Sequence, residues 1–160
     1  MIKTNVMRVL EQKHVNYIPH EYDSDITEGT VVASCLGEDP DMVFKTLVTV
    51  SNTGVHFVFV IPVAESLDLK KAAKAVGVKS IAMIKQKELL PLTGYIHGGC
   101  SPIGMKKAFH TVIDETAQLY DTIFVSAGRV GYQVQVSPSA LLELIHGEYC
   151  DLIDMNHPVK

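Results

Sequence analysis

The chain has 160 residues, of which 47 % are hydrophobic and 20 % charged. That is one domain's worth of sequence, able to bury roughly 70 % of its surface on folding, and neither disorder nor a fibrous architecture fits the balance. A formal charge of −4 argues against a protein that coats nucleic acid nonspecifically, although a local basic face stays compatible with it. No apolar run reaches the ~20 residues of a membrane span, and the start Met1-Ile2-Lys3-Thr4-Asn5 lacks the apolar block of a signal peptide. A cytoplasmic protein with no membrane partner is expected. Cys35, Cys100 and Cys150 are odd in number, widely spaced and without a Cys-x-x-Cys pair, so reduced thiols are expected rather than disulfides or structural zinc.

Thr4 can cap a short helix carrying Val6, Val9 and Leu10 at helical spacing and ending near Lys13. A strand is predicted over 17–22, then a helix over 31–36 opened by Gly29 and Thr30 and stopped by Gly37. Residues 46–51 and 56–61 are rich in Val, Phe and Thr and flank Asn52-Thr53-Gly54-Val55, which predicts an antiparallel hairpin. Ser66 and Asp68 precede the helical stripe Leu69, Ala72, Ala73 and Val76, ended by Gly77. A short strand follows over 80–84, a helix over 85–90 and a glycine-rich passage over 94–104. Strands are predicted at 111–113, 122–126 and 132–136, then a helix to Ile145 capped by Ser137-Pro138, then a closing strand over 150–153. Hairpins mixed with single helices point to an α+β sheet or partial barrel with helices packed around it, in a single domain spanning 1–160.

Residues 98–104 hold three glycines and a proline. Such a backbone can come close to a ligand and aim several N–H groups at one oxygen, or it can simply be a loop that needs positive φ angles. It matches neither the phosphate-loop nor the dinucleotide fingerprint. Lys45 lies between Phe44 and Thr46 at the entry to the hairpin, either a cation projecting into a pocket from a rigid strand or an ordinary surface lysine. Cys100 is the one cysteine placed like a nucleophile, with His97 and His110 near it in sequence, yet a small buried cysteine fits as well. His14, His20, His56, His146 and His157 show no metal-ligand spacing, so neither a metal nor another cofactor is expected. Asp23, Asp25 and Glu28 read as a solvated turn. Eight of the 14 basic residues fall between positions 70 and 107 (Lys70, Lys71, Lys74, Lys79, Lys85, Lys87, Lys106 and Lys107), either a phosphate-binding face or a solvated surface.

Four segments stand in a fixed order along the chain: Val43-Phe44-Lys45-Thr46-Leu47, the stretch 67–77, Thr93-Gly94-Tyr95 running into Gly98-Gly99-Cys100-Ser101-Pro102-Ile103-Gly104, and Ile113-Asp114 followed by Ile123-Phe124-Val125-Ser126-Ala127-Gly128. Taken together they resemble the YbaK/EbsC family of aminoacyl-tRNA deacylases, free-standing relatives of the editing domain of bacterial prolyl-tRNA synthetase. The resemblance implies a mixed, mostly antiparallel, barrel-like α+β sheet with flanking helices. It also implies editing in trans, typically removal of cysteine from the proline tRNA, with the acceptor end of the aminoacyl-tRNA as substrate and prolyl-tRNA synthetase as an associated partner. By position, Lys45 becomes the essential lysine gripping the terminal adenosine, and Gly98 and Gly99 the backbone cradle. Tyr22, Thr46, Cys100, Ser101, Ser126 and Gln133 become pocket residues. No protein side chain attacks in the cysteine-specific branch: the substrate's thiol closes on its own ester carbonyl, releasing a thiolactone, and holding those two groups in attack geometry replaces a missing triad. Where the resemblance associates an aspartate, this chain has Gln133, a neutral amide. Removal of alanine or another small amino acid, or a non-catalytic module that holds tRNA or a synthetase, therefore stays open.

Overall fold

Helix α1 (Asn5–Gln12) begins where Thr4 Oγ1 accepts the Met7 N–H at 3.3 Å, and it buries Val6, Met7 and Leu10. The computed structural model describes residues 1–156 of the chain, so His157 lies outside the described residues. Strand β1 (Tyr17–Glu21) and helix α2 (Gly29–Leu36) follow, the helix closed by Gly37 in the left-handed region at φ 68°. Strands β2 (Phe44–Ser51) and β3 (His56–Pro62) form the expected hairpin, whose turn is tied by the Ser51 hydroxyl oxygen accepting the N–H groups of Thr53 and Val55. Asp68 caps helix α3 (Leu69–Val76) by accepting the N–H groups of Lys70 at 2.9 Å and Lys71 at 3.1 Å. After β4 (Ile81–Met83), a 3-10 turn (Gln86–Glu88) runs into the short helix α4 (Leu89–Thr93). Next come β5 (His110–Asp114), a 3-10 turn (Glu115–Leu119), β6 (Ile123–Ser126) and β7 (Tyr132–Val136). Helix α5 (Pro138–Leu144), capped by Ser137, and β8 (Glu148–Cys150) complete the order.

The architecture is α+β and mixed, as expected, but the barrel does not close. The strands form two sheets, one ordered β1-β7-β6 and the other β4-β2-β3-β5-β8. The first is antiparallel throughout, while in the second β3 pairs with β5 and β5 with β8 in parallel. Parallel neighbours need long crossovers, and α3, β4 and α4 fill the first of them. The sheets meet at one seam, where Val43 bridges Phe124 and the Phe124 N–H donates to the Met42 carbonyl at 2.9 Å. The closing strand sits earlier than predicted. Buried Asp114 takes the Leu152 N–H at 2.9 Å with its side chain, leaving only an isolated bridge between Ile153 and Leu67.

β3 is covered on both faces, which is why it reads as an unbroken apolar run. Val58 and Val60 face the core shared by the two sheets, α1 and α5, together with Leu10, Ile113, Val125 and Leu141. Phe57, Phe59 and Ile61 face α3, against Ala72 and Ala73. Each such side chain contributes about 1.5–3 kcal/mol on burial. A third cluster, Ala33, Val43, Val63 and Phe124, fixes α2 over the seam. That packing leaves a cavity between α2, the start of β2, the ends of β6 and β7, and the glycine-rich passage.

Candidate active site

The cavity has a volume of about 380 Å³, within the ordinary range for a small-molecule pocket. Lys45 enters it from β2, two residues past Val43 of the seam and opposite Ile61 in the hairpin. Burial pushes its amine below the ordinary lysine range, and the charge of Glu65 partly offsets this. Among the described residues Lys45 makes no ion pair. It is a strand-held, half-buried cation rather than a surface lysine.

The pleat of the three-stranded sheet supplies the opposite wall. Gln133 on β7 stands directly across from His20 on one side and Ser126 on the other. Tyr22, two residues beyond His20, therefore shares that face. Tyr22, Ser126 and Gln133 all line the cavity, and Thr46 joins them from β2. The Ser126 hydroxyl oxygen is occupied, accepting the Gly128 N–H at 3.2 Å. Tyr22 Oη, Thr46 Oγ1 and Gln133 Oε1 are buried with no hydrogen-bond partner among the described residues. Leaving such a group unpaired costs about 1–3 kcal/mol.

The glycine-rich passage divides. Gly98 and Cys100 line the cavity, Gly98 with φ 85°, and among the described residues their amide N–H groups donate to no other protein group. Gly99 and Ser101 do not line it. The Gly99 N–H donates to the Ile96 carbonyl at 3.0 Å, so it offers nothing to a ligand. A Cβ at Gly99 would lie 2.9 Å from the Val130 backbone nitrogen, so this glycine is required by the turn packed behind it. Ser101 is fully buried and its hydroxyl accepts the Ile103 N–H at 3.2 Å, holding the loop's own turn. Cys100 is a poor nucleophile, since burial pushes its thiol up to about 12 despite a hydrogen bond with Thr93.

Residues that the sequence did not place in the pocket complete it. Thr27, Glu28, Gly29 and Thr30 enter from the start of α2, and Leu89 and His97 from the far side. Glu28, read as part of a solvated turn, is exposed but stands at the cavity's edge, accepting the Thr30 hydroxyl at 3.1 Å. Its neighbour Asp23 does form a turn, accepting the Asp25 N–H at 2.9 Å. Of the lysines in the basic stretch, Lys71 is committed elsewhere, bonded to Asp151 at 2.9 Å and to the Ile153 carbonyl at 2.8 Å. Among the described residues no group of three or more His, Cys, Asp or Glu could hold a metal ion.

Residues 24–144 match the family described as the aminoacyl-tRNA editing domain. The chain belongs to that family. It is 47 % identical over 152 residues, 94 % of this chain and 93 % of the other, to EbsC of Enterococcus faecalis (strain ATCC 700802 / V583), provisionally named a Cys-tRNA(Pro)/Cys-tRNA(Cys) deacylase. The resemblance drawn from the sequence segments holds. Among solved structures, one described as a proposed trans-editing enzyme for prolyl-tRNA synthetase superposes with TM-score 0.82 at 25 % identity, over 93 % of this chain and 94 % of that one. Another, of a hypothetical protein, gives TM-score 0.86 at 21 % identity over 93 % and 99 % of the two chains and shows the shared fold.

Proposed function

We propose that this protein is a trans-editing deacylase that removes cysteine from mischarged proline tRNA, acting as one editing domain over residues 1–160. The observation that carries the reading is Lys45, a half-buried cation with no ion-pair partner among the described residues, held by a strand in a cavity with unpaired polar groups and the amides of Gly98 and Cys100. A relative 47 % identical, named for cysteinyl-tRNA deacylation, supports the same choice.

In this mechanism the terminal adenosine and its ester enter the cavity, and Lys45 holds the phosphate or ribose end. The substrate's thiolate attacks its own ester carbonyl carbon. The bond from that carbon to the ribose oxygen then breaks, the oxygen takes up a proton, and a thiolactone and free tRNA leave. Charge developing on the carbonyl oxygen is met by Lys45 and by the free amides, preorganised donors of the kind that contribute about 10²–10³-fold each. The substrate brings the nucleophile, so the protonated Cys100 thiol is no obstacle. The reaction uses no cofactor. Cytoplasmic action beside prolyl-tRNA synthetase fits this role, and among the described residues no helix is long and apolar enough to cross a membrane.

The test is incubation of purified protein with cysteinyl-tRNA and alanyl-tRNA of the proline isoacceptor, with Lys45→Ala as control. Loss of cysteine that depends on Lys45 supports the proposal. Loss of alanine at the same rate points to a pocket for small amino acids in general, as the neutral Gln133 wall would allow. Unchanged ester in both contradicts a catalytic role.

A further inference from the structure

Among the described residues, the buried side-chain polar atoms without a hydrogen-bond partner are Tyr22 Oη, Thr46 Oγ1 and Gln133 Oε1, and all three residues line the same cavity. Gln133 is only 6 % exposed. Buried polar groups are almost always paired, so three orphans gathered in one cavity mark the complement of a ligand group. The sheet register puts Tyr22 and Gln133 on one face, and Thr46 reaches the cavity from the other sheet.

Building on the aminoacyl-tRNA reading above, we propose that Gln133, Tyr22 and Thr46 form the subsite for the substrate's α-amino group and accept it as the neutral amine, not as the ammonium ion.

Two arguments select the neutral form. The first is hydrogen-bond inventory. An amide oxygen only accepts, whereas each hydroxyl both donates and accepts. An ammonium offers three donors and no acceptor, so it leaves the hydroxyl protons of Tyr22 and Thr46 unused. A neutral amine offers two N–H donors and a lone pair: one N–H goes to Gln133 Oε1, the other to one hydroxyl oxygen, and the lone pair takes the proton of the second hydroxyl, so one hydroxyl proton is left unused instead of two. The second is charge. Lys45 already lines the cavity as a cation. Of the nearby carboxylates, Glu65 acts on Lys45 and is not among the cavity's lining residues, while Glu28 is exposed at the rim and bonded to Thr30. A second positive charge in so confined a space is repelled, and an α-amino group, the weaker base, gives up its proton before a lysine does.

The other titratable groups near this end of the cavity are His97 and Cys100 on the loop, which line it, and His20 on β1, which does not line it but stands across from Gln133 in the strand register, its ring bonded to Gln135 Oε1 at 3.0 Å. The experiment must separate their titration from that of the ligand. Two non-hydrolysable ligands do so: 3′-amino-3′-deoxyadenosine acylated with cysteine, and the same nucleoside acylated with 2-hydroxy-3-mercaptopropionate, which replaces the amine by a hydroxyl. Their dissociation constants are measured by calorimetry at pH 8, 7 and 6 on the wild-type chain and on Gln133→Glu.

For the wild type, the cysteinyl ligand is expected to weaken roughly tenfold per pH unit below about 7.5, where an α-amino group takes up its proton. The hydroxy ligand is expected to hold its affinity across the range. Gln133→Glu, which supplies a carboxylate for the ammonium, is expected to flatten the cysteinyl profile. Equal wild-type binding of the cysteinyl ligand at pH 6 and 8 overturns the proposal. So does parallel weakening of both ligands, which assigns the titration to the protein, or an undiminished slope in a folded Gln133→Glu. If that variant does not fold, the two ligands on the wild-type chain decide alone. Failure of both ligands to bind at pH 8, with no release of cysteine from tRNA, overturns the deacylase reading itself and this subsite with it.

Discussion

Gly99→Ala separates a glycine kept for packing from one kept for substrate approach. Its φ lies outside the left-handed region, so the backbone tolerates a side chain and the cost is steric. The new Cβ would stand 2.9 Å from the Val130 nitrogen, 3.2 Å from the Arg129 carbonyl carbon and 3.3 Å from the Arg129 Cα, all backbone atoms with little freedom to give. Overpacking of that kind costs about 1–3 kcal/mol, which for a chain of this length lowers Tm by about 2–12 °C. Relief of the clash moves the loop that carries the Gly98 and Cys100 amides, and a displacement near 1 Å costs about 10²-fold in rate. Gly37→Ala is the control. There φ is +68° and no atom lies within 4 Å of the added Cβ, so strain of about 1–2 kcal/mol lowers Tm without touching kcat/KM. Calorimetry and single-turnover deacylation read both variants. An unchanged Tm with lost activity in Gly99→Ala would refute the packing argument and return Gly99 to the substrate; no change in either would refute the steric analysis.

Lys45→Met is expected to lose about 10²–10³-fold in kcat/KM yet gain stability. Because burial lowers the Lys45 pKa in the folded state, the unfolded chain binds more protons between the two values; stability from this group rises with pH, and at neutral pH the buried charge is a cost. Removing it is expected to raise Tm at pH 7 by about 1–8 °C, and a Tm that falls contradicts this. Wild-type activity is expected to decline on the alkaline side before the ordinary lysine range is reached, measurable in a kcat/KM profile. Cys100→Ala is expected to keep its activity, and mass spectrometry of the wild type at steady state should find no acyl-enzyme, because the thiol is held protonated with a pKa of about 12. Asp114→Asn replaces an acceptor that takes the Leu152 N–H at 2.9 Å and the Thr116 N–H at 3.1 Å with a group that also donates. The expected cost is about 1–3 kcal/mol, seen as a lower Tm at unchanged KM.

Local chemistry made much of the fold legible. Thr4, Asp68 and Ser137 announce helix starts because a side-chain oxygen before an apolar stripe has a nearby N–H to accept, and each does so in the structure. The hairpin was equally plain. What the pattern could not carry is long-range pairing: nothing in residues 110–114 says that they lie parallel to β3, and nothing before Leu152 says that Asp114 ends the ladder there. The Glu115–Leu119 turn carries no separate signal in the sequence because its cap, Asp114, also ends a strand. At the site, Lys45, Gly98 and Cys100 were visible through the company they keep along the chain. The start of α2 was not, since Gly29 and Thr30 read only as a helix opening until Val43, Val63 and Phe124 seat that helix over the seam. Gly99 shows the opposite error, a glycine in a ligand-like loop whose constraint comes from the turn behind it.

The central claim is that the chain holds a substrate which attacks itself. Single-turnover deacylation of proline tRNA carrying cysteine, compared with the same tRNA carrying S-methylcysteine, tests it most directly. The two aminoacyl groups differ by one methyl that removes the nucleophile and leaves the amine and ester in place. The account predicts rapid release of cysteine and persistence of the S-methyl ester over the same period. Release of both at similar rates would contradict it and require an attacking group or water that the present mechanism does not contain.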